Sequence, residues 1–211
     1  MSHASPTQTE SAVRLTLLRG ADLVASTWKN GGGITREIAL GGSAEAFAWR
    51  VSVADVAQAG PFSRFEGVAR TLVLLDGAGM VLDETGAAAR MHTLVKPLDV
   101  AHFDGEAPIS ARLIDGPTRD FNLMVRRDVA RATFEIWREP TTRDMQGETA
   151  LLYCANGTAS VRVNGGEPVA LAAGDTLRID TTDTTDTARS MRIETQGEAA
   201  LLAIALESIK P

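Results

Sequence analysis

A run of three glycines, preceded by a lysine and an asparagine, is the first feature of the chain that could bind a ligand. It lies in the stretch TWKNGGGITREIAL, residues 27–40. A phosphate-binding loop places its lysine after the glycines, in the order G-x-x-x-x-G-K-[ST], and a dinucleotide-binding loop has G-x-G-x-x-G opening a helix. Here Lys29 precedes the glycines, and the alternating segment after them predicts a strand. The pattern therefore favours a hairpin turn that also lines a small-molecule pocket, because glycine lets a ligand approach the backbone closely.

Polar side chains recur at alternate positions of two segments that predict β-strands. In RDFNLMVRR, Asp120, Asn122 and Arg126 fall on one face, because successive side chains of a strand point to opposite sides. In WRVSVA, Arg50 and Ser52 share a face in the same way. Such faces either contact solvent on antiparallel sheets or line a polar interior. In the second case the guanidinium and amide groups would suit a small carboxylate, whose two oxygens arginine can bind together.

The sequence is poor in the residues that form metal centres or covalent catalysts. A metal site inside a β-barrel usually combines an H-x-H pair with a further glutamate and histidine. The three histidines here, His3, His92 and His102, contain no such pair. Cys154 lies in an apolar segment and predicts a small buried residue rather than a nucleophile. We therefore predict neither a metal nor a cofactor.

Composition narrows the class of protein. A net charge of −6 and a pI near 5.1 argue against a nucleic-acid partner, since such proteins carry a basic surface. The chain shows no apolar run of the ~20 residues that a membrane helix needs, and no apolar signal segment at its start. A single cysteine is typical of a reducing compartment. We expect a cytoplasmic protein without a membrane partner, and the sequence leaves a homo-oligomer open.

Short apolar segments separated by glycine, proline, aspartate or asparagine predict an all-β fold. Segments such as VRLTLL, RTLVLL and ASVRVN run four to eight residues, and none shows a sustained helical period. A strand–glycine–strand pattern around Gly77 recurs 80 residues later around Gly157, which indicates two similar β units. Residues 1–12 are small and polar and predict a disordered tail.

Four motifs resemble the HutD/Ves family. They are TWKNGGGITREIAL, WRVSVADVAQAGPFSRFEGVAR, LLDGAGMVL and DGPTRDFNLMVRR. The resemblance implies a bicupin, that is, two metal-free antiparallel β-barrels of jelly-roll type, which we place at residues 13–135 and 136–211. The sequence departs from the family pattern at Glu66, where the family has proline, and we expect this difference to alter only a turn. The candidate ligand-binding residues on these motifs are Trp28, Lys29, Asn30, Gly31, Gly32, Gly33, Thr35, Arg36, Glu37, Trp49, Arg50, Ser52, Phe62, Arg70, Asp120, Asn122 and Arg126.

The same resemblance implies a link to bacterial histidine utilisation and leaves two functions open. The favoured function is a non-catalytic protein that senses a small carboxylate of histidine breakdown, such as urocanate or formylglutamate, in the N-terminal barrel. The alternative is a metal-independent enzyme acting on a similar acid, with Glu37 or Asp120 as general base. The absence of a nucleophile–base pair in the sequence favours binding.

Overall fold

The computed structural model describes residues 13–85, 89–182 and 190–209. The predicted disordered tail at residues 1–12 lies outside the described residues. Within them the protein is all-β, which confirms the predicted class, and the helical structure is one 3₁₀ turn at Gly20–Asp22. The strands are β1 (Val13–Leu18), β2 (Ala25–Thr27), β3 (Gly33–Gly42), β4 (Phe47–Val56), β5 (Gly60–Pro61), β6 (Val68–Asp76), β7 (Met80–Glu84), β8 (Arg90–Leu94), β9 (Val100–Asp104), β10 (Ile109–Leu113), β11 (Thr118–Arg126), β12 (Ala130–Trp137), β13 (Thr142–Gln146), β14 (Thr149–Val163), β15 (Val169–Ala172), β16 (Thr176–Thr181), β17 (Ser190–Gln196) and β18 (Ala199–Ser208).

The chain divides into two compact units. Of the described residues, the N-terminal unit comprises those within 19–132 together with 208–209, and the C-terminal unit comprises those within 133–207 together with 13–18. Strand β1 therefore belongs to the C-terminal unit, where it pairs antiparallel with β16. Residues 13–18 were expected in the N-terminal barrel; in the division into compact units they group with the C-terminal unit. Strand pairing between distant segments cannot be recognised from the local pattern of either one.

Two antiparallel sheets form the N-terminal unit. One has the order β2-β3-β4-β11-β6-β9 and the other has the order β5-β10-β7-β8. An apolar cluster contains residues from both sheets, with Leu72 and Leu74 from the first, and Met80, Leu82 and Ile109 from the second. Because this cluster lies between the sheets, the inward-facing positions of β4, β6 and β11 are the ones that can enclose a ligand.

The C-terminal unit is built on one sheet of eight strands, in which β14 pairs with β15, β16, β17 and β18. Its buried cluster is apolar and includes Leu152, Leu177 and Ile193. Cys154 is fully buried in this cluster, as the sequence predicts, and burial raises the pKa of its thiol to about 11. A thiol with so high a pKa is a poor nucleophile at neutral pH.

Candidate functional site

A cavity of about 610 Å³, partly open to solvent, lies in the N-terminal unit. Ten of the residues that the sequence analysis selected line it: Trp28, Lys29, Asn30, Thr35, Arg50, Ser52, Phe62, Arg70, Asp120 and Asn122. Seven others line it as well: Ser26, Thr27, Ala54, Pro61, Ser63, Phe65 and Met124. Its size is within the range of small-molecule sites.

The register of three neighbouring strands places the polar side chains of the cavity in rows. Strand β11 lies between β6 and β4, so each of its inward-facing residues has one partner on each side. The three rows are Arg70–Met124–Arg50, Leu72–Asn122–Ser52 and Leu74–Asp120–Ala54. The polar face of β4 and β11 therefore lines the interior rather than contacting only solvent. Arg50, for which the sequence left both possibilities open, lines the cavity.

The glycine run forms the hairpin between β2 and β3 that carries the cavity's tryptophan. Gly31 has a φ of +70°, which favours glycine, and the Gly31 amide donates to the carbonyl of Trp28 at 2.9 Å. A Cβ on Gly33 would lie 3.1 Å from the Trp28 ring and 2.6 Å from the carbonyl oxygen of Asp55. The indole Nε1 of Trp28 donates to Thr35 Oγ1 at 2.7 Å, which fixes the ring against the cavity. The run is thus a turn that positions Trp28 in the cavity wall.

Arg70 is a buried arginine whose guanidinium lies among aromatic rings. It is 7% exposed, and its Cζ is 5.2 Å from the ring centre of Phe62, 5.8 Å from that of Phe65 and 5.0 Å from that of Phe103. Its Nε has no hydrogen-bond partner in the described structure. Burial lowers the pKa of Arg70 to about 10, against the attraction of Asp120, so the side chain stays charged at neutral pH. The aromatic faces stabilise this cation but cannot accept the strong hydrogen bonds that a carboxylate could.

Asp120 is a carboxyl group 2% exposed on the same wall. Burial raises its pKa to about 7, although Arg70 acts to lower it and Asp55 acts to raise it further. Arg70 and Asp120 both lie in the part of the chain that the structure describes, and they form no ion pair within 4.0 Å. Asn122, in the row between them, has a buried Oδ1 that also lacks a partner among the described residues. Buried polar groups are normally paired, so this wall is incomplete without a ligand or water.

Arg50 supplies the second positive charge. Its Nε donates to Glu37 Oε2 at 2.8 Å, and the two side chains are 30% and 40% exposed. Glu37 is therefore beside the cavity and paired with a residue that lines it, rather than itself lining it. The remaining donors of the Arg50 guanidinium stay available, since arginine has five N–H groups.

Arg36 and Arg126, the other two candidate arginines, lie outside the cavity. Arg36 Nη1 donates to Asp55 Oδ2 at 2.5 Å, and Arg119 Nε donates to Asp55 Oδ1 at 2.6 Å. The hydrogen bond from Arg119 is the main reason why the pKa of Asp55 falls below its usual range. Arg126 is exposed and pairs with Asp128, Nη2 to Oδ2 at 3.2 Å. Neither arginine is placed to meet a molecule in the cavity.

Trp49 and the three glycines also do not line the cavity. Trp49 is 7% exposed and alternates with Arg50, so it points to the other face of β4. A Cβ on Gly41 would collide with its indole ring, which shows how closely the ring covers that glycine. Gly31, Gly32 and Gly33 shape the hairpin, while the side chains of Trp28, Lys29 and Asn30 line the cavity.

Sequence reasoning missed cavity residues that are small, apolar or outside long strands. Ser26 and Thr27 form the short β2, and Phe65 lies in the segment between β5 and β6. Met124 shares the face of β11 that carries Asp120 and Asn122, but it was not among the selected residues. Phe65 had one usable signal, the spacing FSRF with Phe62, since a buried arginine favours aromatic neighbours.

Residues 13–85, 89–182 and 190–209 contain no group of three or more histidine, cysteine, aspartate or glutamate side chains placed to hold a metal ion. His102 Nδ1 lies 3.0 Å from Thr71 Oγ1, and His92 Nε2 lies 4.0 Å from Glu84 Oε2. Within the same residues, no helix is long and apolar enough to cross a membrane.

Comparisons with known proteins agree on one family. The HutD family profile matches residues 20–202. The chain is 35% identical over 194 residues to an uncharacterised 21.2 kDa protein in the hutC 3′ region of Pseudomonas putida, covering 90% of this chain and 97% of that protein. It is 32% identical to HutD from Pseudomonas fluorescens SBW25 (formate condition), with a TM-score of 0.78 over 93% of this chain and 100% of that one. A conserved protein of unknown function from Pseudomonas aeruginosa PAO1 is similar at 32% identity and a TM-score of 0.79, with the same coverage. The chain belongs to the HutD family.

Proposed function

We propose that this protein binds a small carboxylate of histidine degradation, urocanate or formylglutamate, in the cavity of its N-terminal unit. In this role it senses the metabolite, or regulates the pathway, without converting the molecule. The observation that carries the proposal is Arg70, a buried guanidinium that lines a cavity and has an unpartnered Nε.

The electrostatics of the cavity favour an anion with a flat carboxylate group. Arg70 and Arg50 flank Met124 on neighbouring strands, so both guanidinium groups approach from one end of the wall. Lys29 on the hairpin adds a third positive group to the lining. A buried carboxylate needs such partners, because burying it unpaired costs several kcal/mol. Ser52 and Asn122 in the next row can fix its orientation with neutral hydrogen bonds.

The ring of Trp28 supports the choice of a planar or aliphatic acid. It packs over Gly33 and is held by Thr35, so it presents a fixed apolar surface beside the charged groups. An aromatic surface next to a cationic group suits the imidazole or the alkyl portion of a small acid. The link to histidine degradation comes from relatives: one lies in the hutC 3′ region and another is named HutD.

We also propose that each unit is a closed jelly-roll barrel, so that the chain is a bicupin that works without a metal. The support is the recurrence of the strand–glycine–strand pattern at Gly77 and Gly157 and the all-β build of both units. A positive φ at both glycines, +99° and +69°, is consistent with equivalent turns. Elemental analysis of protein purified without chelator tests the metal, and a stoichiometric transition metal would contradict the proposal.

Calorimetric titration of four arginine variants tests the binding site. Arg50→Ala and Arg70→Ala should each make the binding free energy of urocanate or formylglutamate less favourable by about 1.5–3 kcal/mol, the contribution of a charge-assisted hydrogen bond. Arg36→Ala and Arg126→Ala are matched controls, since they remove an arginine of the same unit that lies outside the cavity. A neutral amide analogue should bind the parent protein more weakly than the acid. Equal binding by all four variants, or by amide and acid, would contradict the carboxylate site.

One observation favours a second function, a metal-independent enzyme. Asp120 lines the cavity with a pKa of about 7, and a general base is most effective when its pKa is near the working pH. Glu37, the other candidate base, is paired with Arg50 beside the cavity. Incubation of the parent protein and Asp120→Asn with histidine-pathway acids, followed by product analysis, separates the two functions. Turnover that is lost in Asp120→Asn would favour the enzyme.

A further inference from the structure

The two ends of the cavity wall carry opposite charges. Arg50 and Arg70 flank Met124 at one end, and Asp120 lies four residues along the same strand. Four residues of an extended strand span about 13 Å between Cα atoms. Asn122 lies midway, so the wall presents cations, then an amide, then a carboxyl group.

These opposite charges attract each other but are not joined by a direct ion pair. Arg70 and Asp120 form no ion pair, and the Nε of Arg70 lacks a partner among the described residues. Burial raises the pKa of Asp120 to about 7, and the unpartnered Oδ1 of Asn122 adds a second acceptor on the same side. A buried polar group is stabilised strongly by a partner of complementary charge. The molecule that satisfies the whole wall is therefore an anion at one end and a hydrogen-bond donor at the other.

We infer that the cavity selects a small acid with an N–H donor remote from its carboxylate, the carboxylate lying at Arg50 and Arg70 and the N–H group at Asp120. The inference rests on the proposed function and narrows it. Asp120 then determines specificity, since it accepts a charge-assisted hydrogen bond from the ligand. A dicarboxylate such as formylglutamate is disfavoured if its second anion lies at Asp120, because like charges repel. An acid with an imidazole at its far end, such as urocanate, carries both the carboxylate and the N–H donor.

A ligand series on the parent protein tests the inference without any substitution. Calorimetry at pH 8, where Asp120 is ionised, compares urocanate, 3-(2-furyl)acrylate and urocanamide. The furan has the same carboxylate arm and no N–H group, and the amide keeps the imidazole but lacks the charge. Urocanate should bind about 10-fold or more tightly than either analogue, as expected for loss of one charge-assisted contact.

Two variants locate the contacts at opposite ends. Asp120→Asn should lower the affinity for urocanate by about 10-fold or more and should change the affinity for furylacrylate by less than about threefold. Arg70→Met should weaken both acids together, since both carry the carboxylate. Asp83→Asn is the control, because Asp83 is a carboxylate of the same unit that pairs with Arg112 and does not line the cavity.

The outcomes separate this inference from the proposed function. If furylacrylate binds as tightly as urocanate, or if Asp120→Asn weakens both acids equally, the donor–Asp120 contact is wrong while carboxylate binding stands. If formylglutamate binds more tightly than urocanate at pH 8, the selection against a second anion is wrong. If none of these acids binds the parent protein, the proposed function fails and this inference fails with it.

Discussion

The two units of the protein use their inward-facing positions differently. In the C-terminal unit, β14 places Ala150, Leu152 and Cys154 in a cluster of apolar side chains. In the N-terminal unit, the neighbouring strands β4 and β11 place Arg50, Ser52, Asp120 and other polar side chains on the cavity wall. One unit fills its interior with apolar side chains, and the other leaves a cavity lined by charges.

The difference extends to how buried polar atoms are paired. Six buried side-chain polar atoms lack a partner among the described residues, and five of them belong to the N-terminal unit. In the C-terminal unit, by contrast, Asp175 accepts a hydrogen bond from the Ala172 amide at 3.0 Å, and Thr149 donates to Asp180 at 2.8 Å. Unpaired buried groups reduce stability, and two of these five, Arg70 Nε and Asn122 Oδ1, belong to residues that line the cavity.

Truncation of an apolar side chain should have the largest effect, and a larger one in the C-terminal unit. Leu152 is 0% exposed, and Leu152→Ala should lower the free energy of unfolding by roughly 2–5 kcal/mol, because it leaves a closed void. Met124→Ala should cost about 2 kcal/mol, the low end of that range, since it enlarges a cavity that is already partly open. Urea denaturation of both variants measures the difference. An equal or larger loss for Met124→Ala would contradict the contrast.

Asp120→Asn should stabilise the protein, and the gain should depend on pH. The folded pKa of Asp120, about 7, lies above the unfolded value of 3.8, so the unfolded chain loses its proton first as the pH rises. The parent protein therefore loses stability between pH 4 and 7, by up to about 4 kcal/mol at about 1.4 kcal/mol per pKa unit, and no further above pH 7. The Asp120→Asn variant does not lose this stability, because asparagine does not titrate. The groups acting on Asp120 besides burial are Arg70 and Asp55.

The measurement is the difference in unfolding free energy between the parent and Asp120→Asn from pH 4 to pH 8. Taking the difference removes the contributions of the other carboxylates. A difference that stays constant with pH would show that Asp120 is not held in its neutral form by burial.

Asp175→Ala should destabilise the protein, whereas Asp120→Asn should stabilise it. Asp175 is 5% exposed and caps a turn by accepting from the Ala172 amide, so removal of its carboxylate leaves that donor unpaired. We expect a loss of about 1–3 kcal/mol. Urea denaturation at pH 7 compares it with Asp120→Asn, and a gain in stability for both variants would remove the distinction between the two buried carboxylates.

Arg126→Ala should have the smallest effect. Arg126 and Asp128 are 41% and 61% exposed, and exposed ion pairs contribute little to stability. Neither the melting temperature nor the affinity for urocanate should change measurably. A clear loss of affinity for urocanate would place Arg126 in the binding site. It would also contradict the distinction between arginines that line the cavity and arginines that lie outside it.

The sequence predicted the all-β class and which side chains of β11 share a face, because both follow from local patterns within single segments; whether that face contacts solvent or lines an interior was left open. Asp120 and Asn122 therefore lie where alternation placed them. Arg126 shares that face but ends its strand and pairs with Asp128, which alternation does not reveal.

Features that depend on pairing between segments could not be predicted. A bulge in β3 between Glu37 and Ala39 shifts its register against β4, so the parity of its side chains changes along the strand. Alternation along β3 therefore does not give the face of every residue of that strand. Phe65 and Ser26 reach the cavity from short segments whose positions are set by the fold, and neither has a local pattern that indicates it.

The pairing of β1 with β16 has a consequence for how the chain is made. Residues 13–18 precede their partners at residues 176–181 by the whole length of the N-terminal unit, so they are synthesised well before those partners exist. The N-terminal unit can complete its two sheets while β1 is still without a partner. Strand β1 lies at the edge of the eight-stranded sheet, so a chain that begins at residue 19 would expose the backbone of β16. Strand β1 thus covers the backbone edge of β16 although it contributes no residue to the cavity.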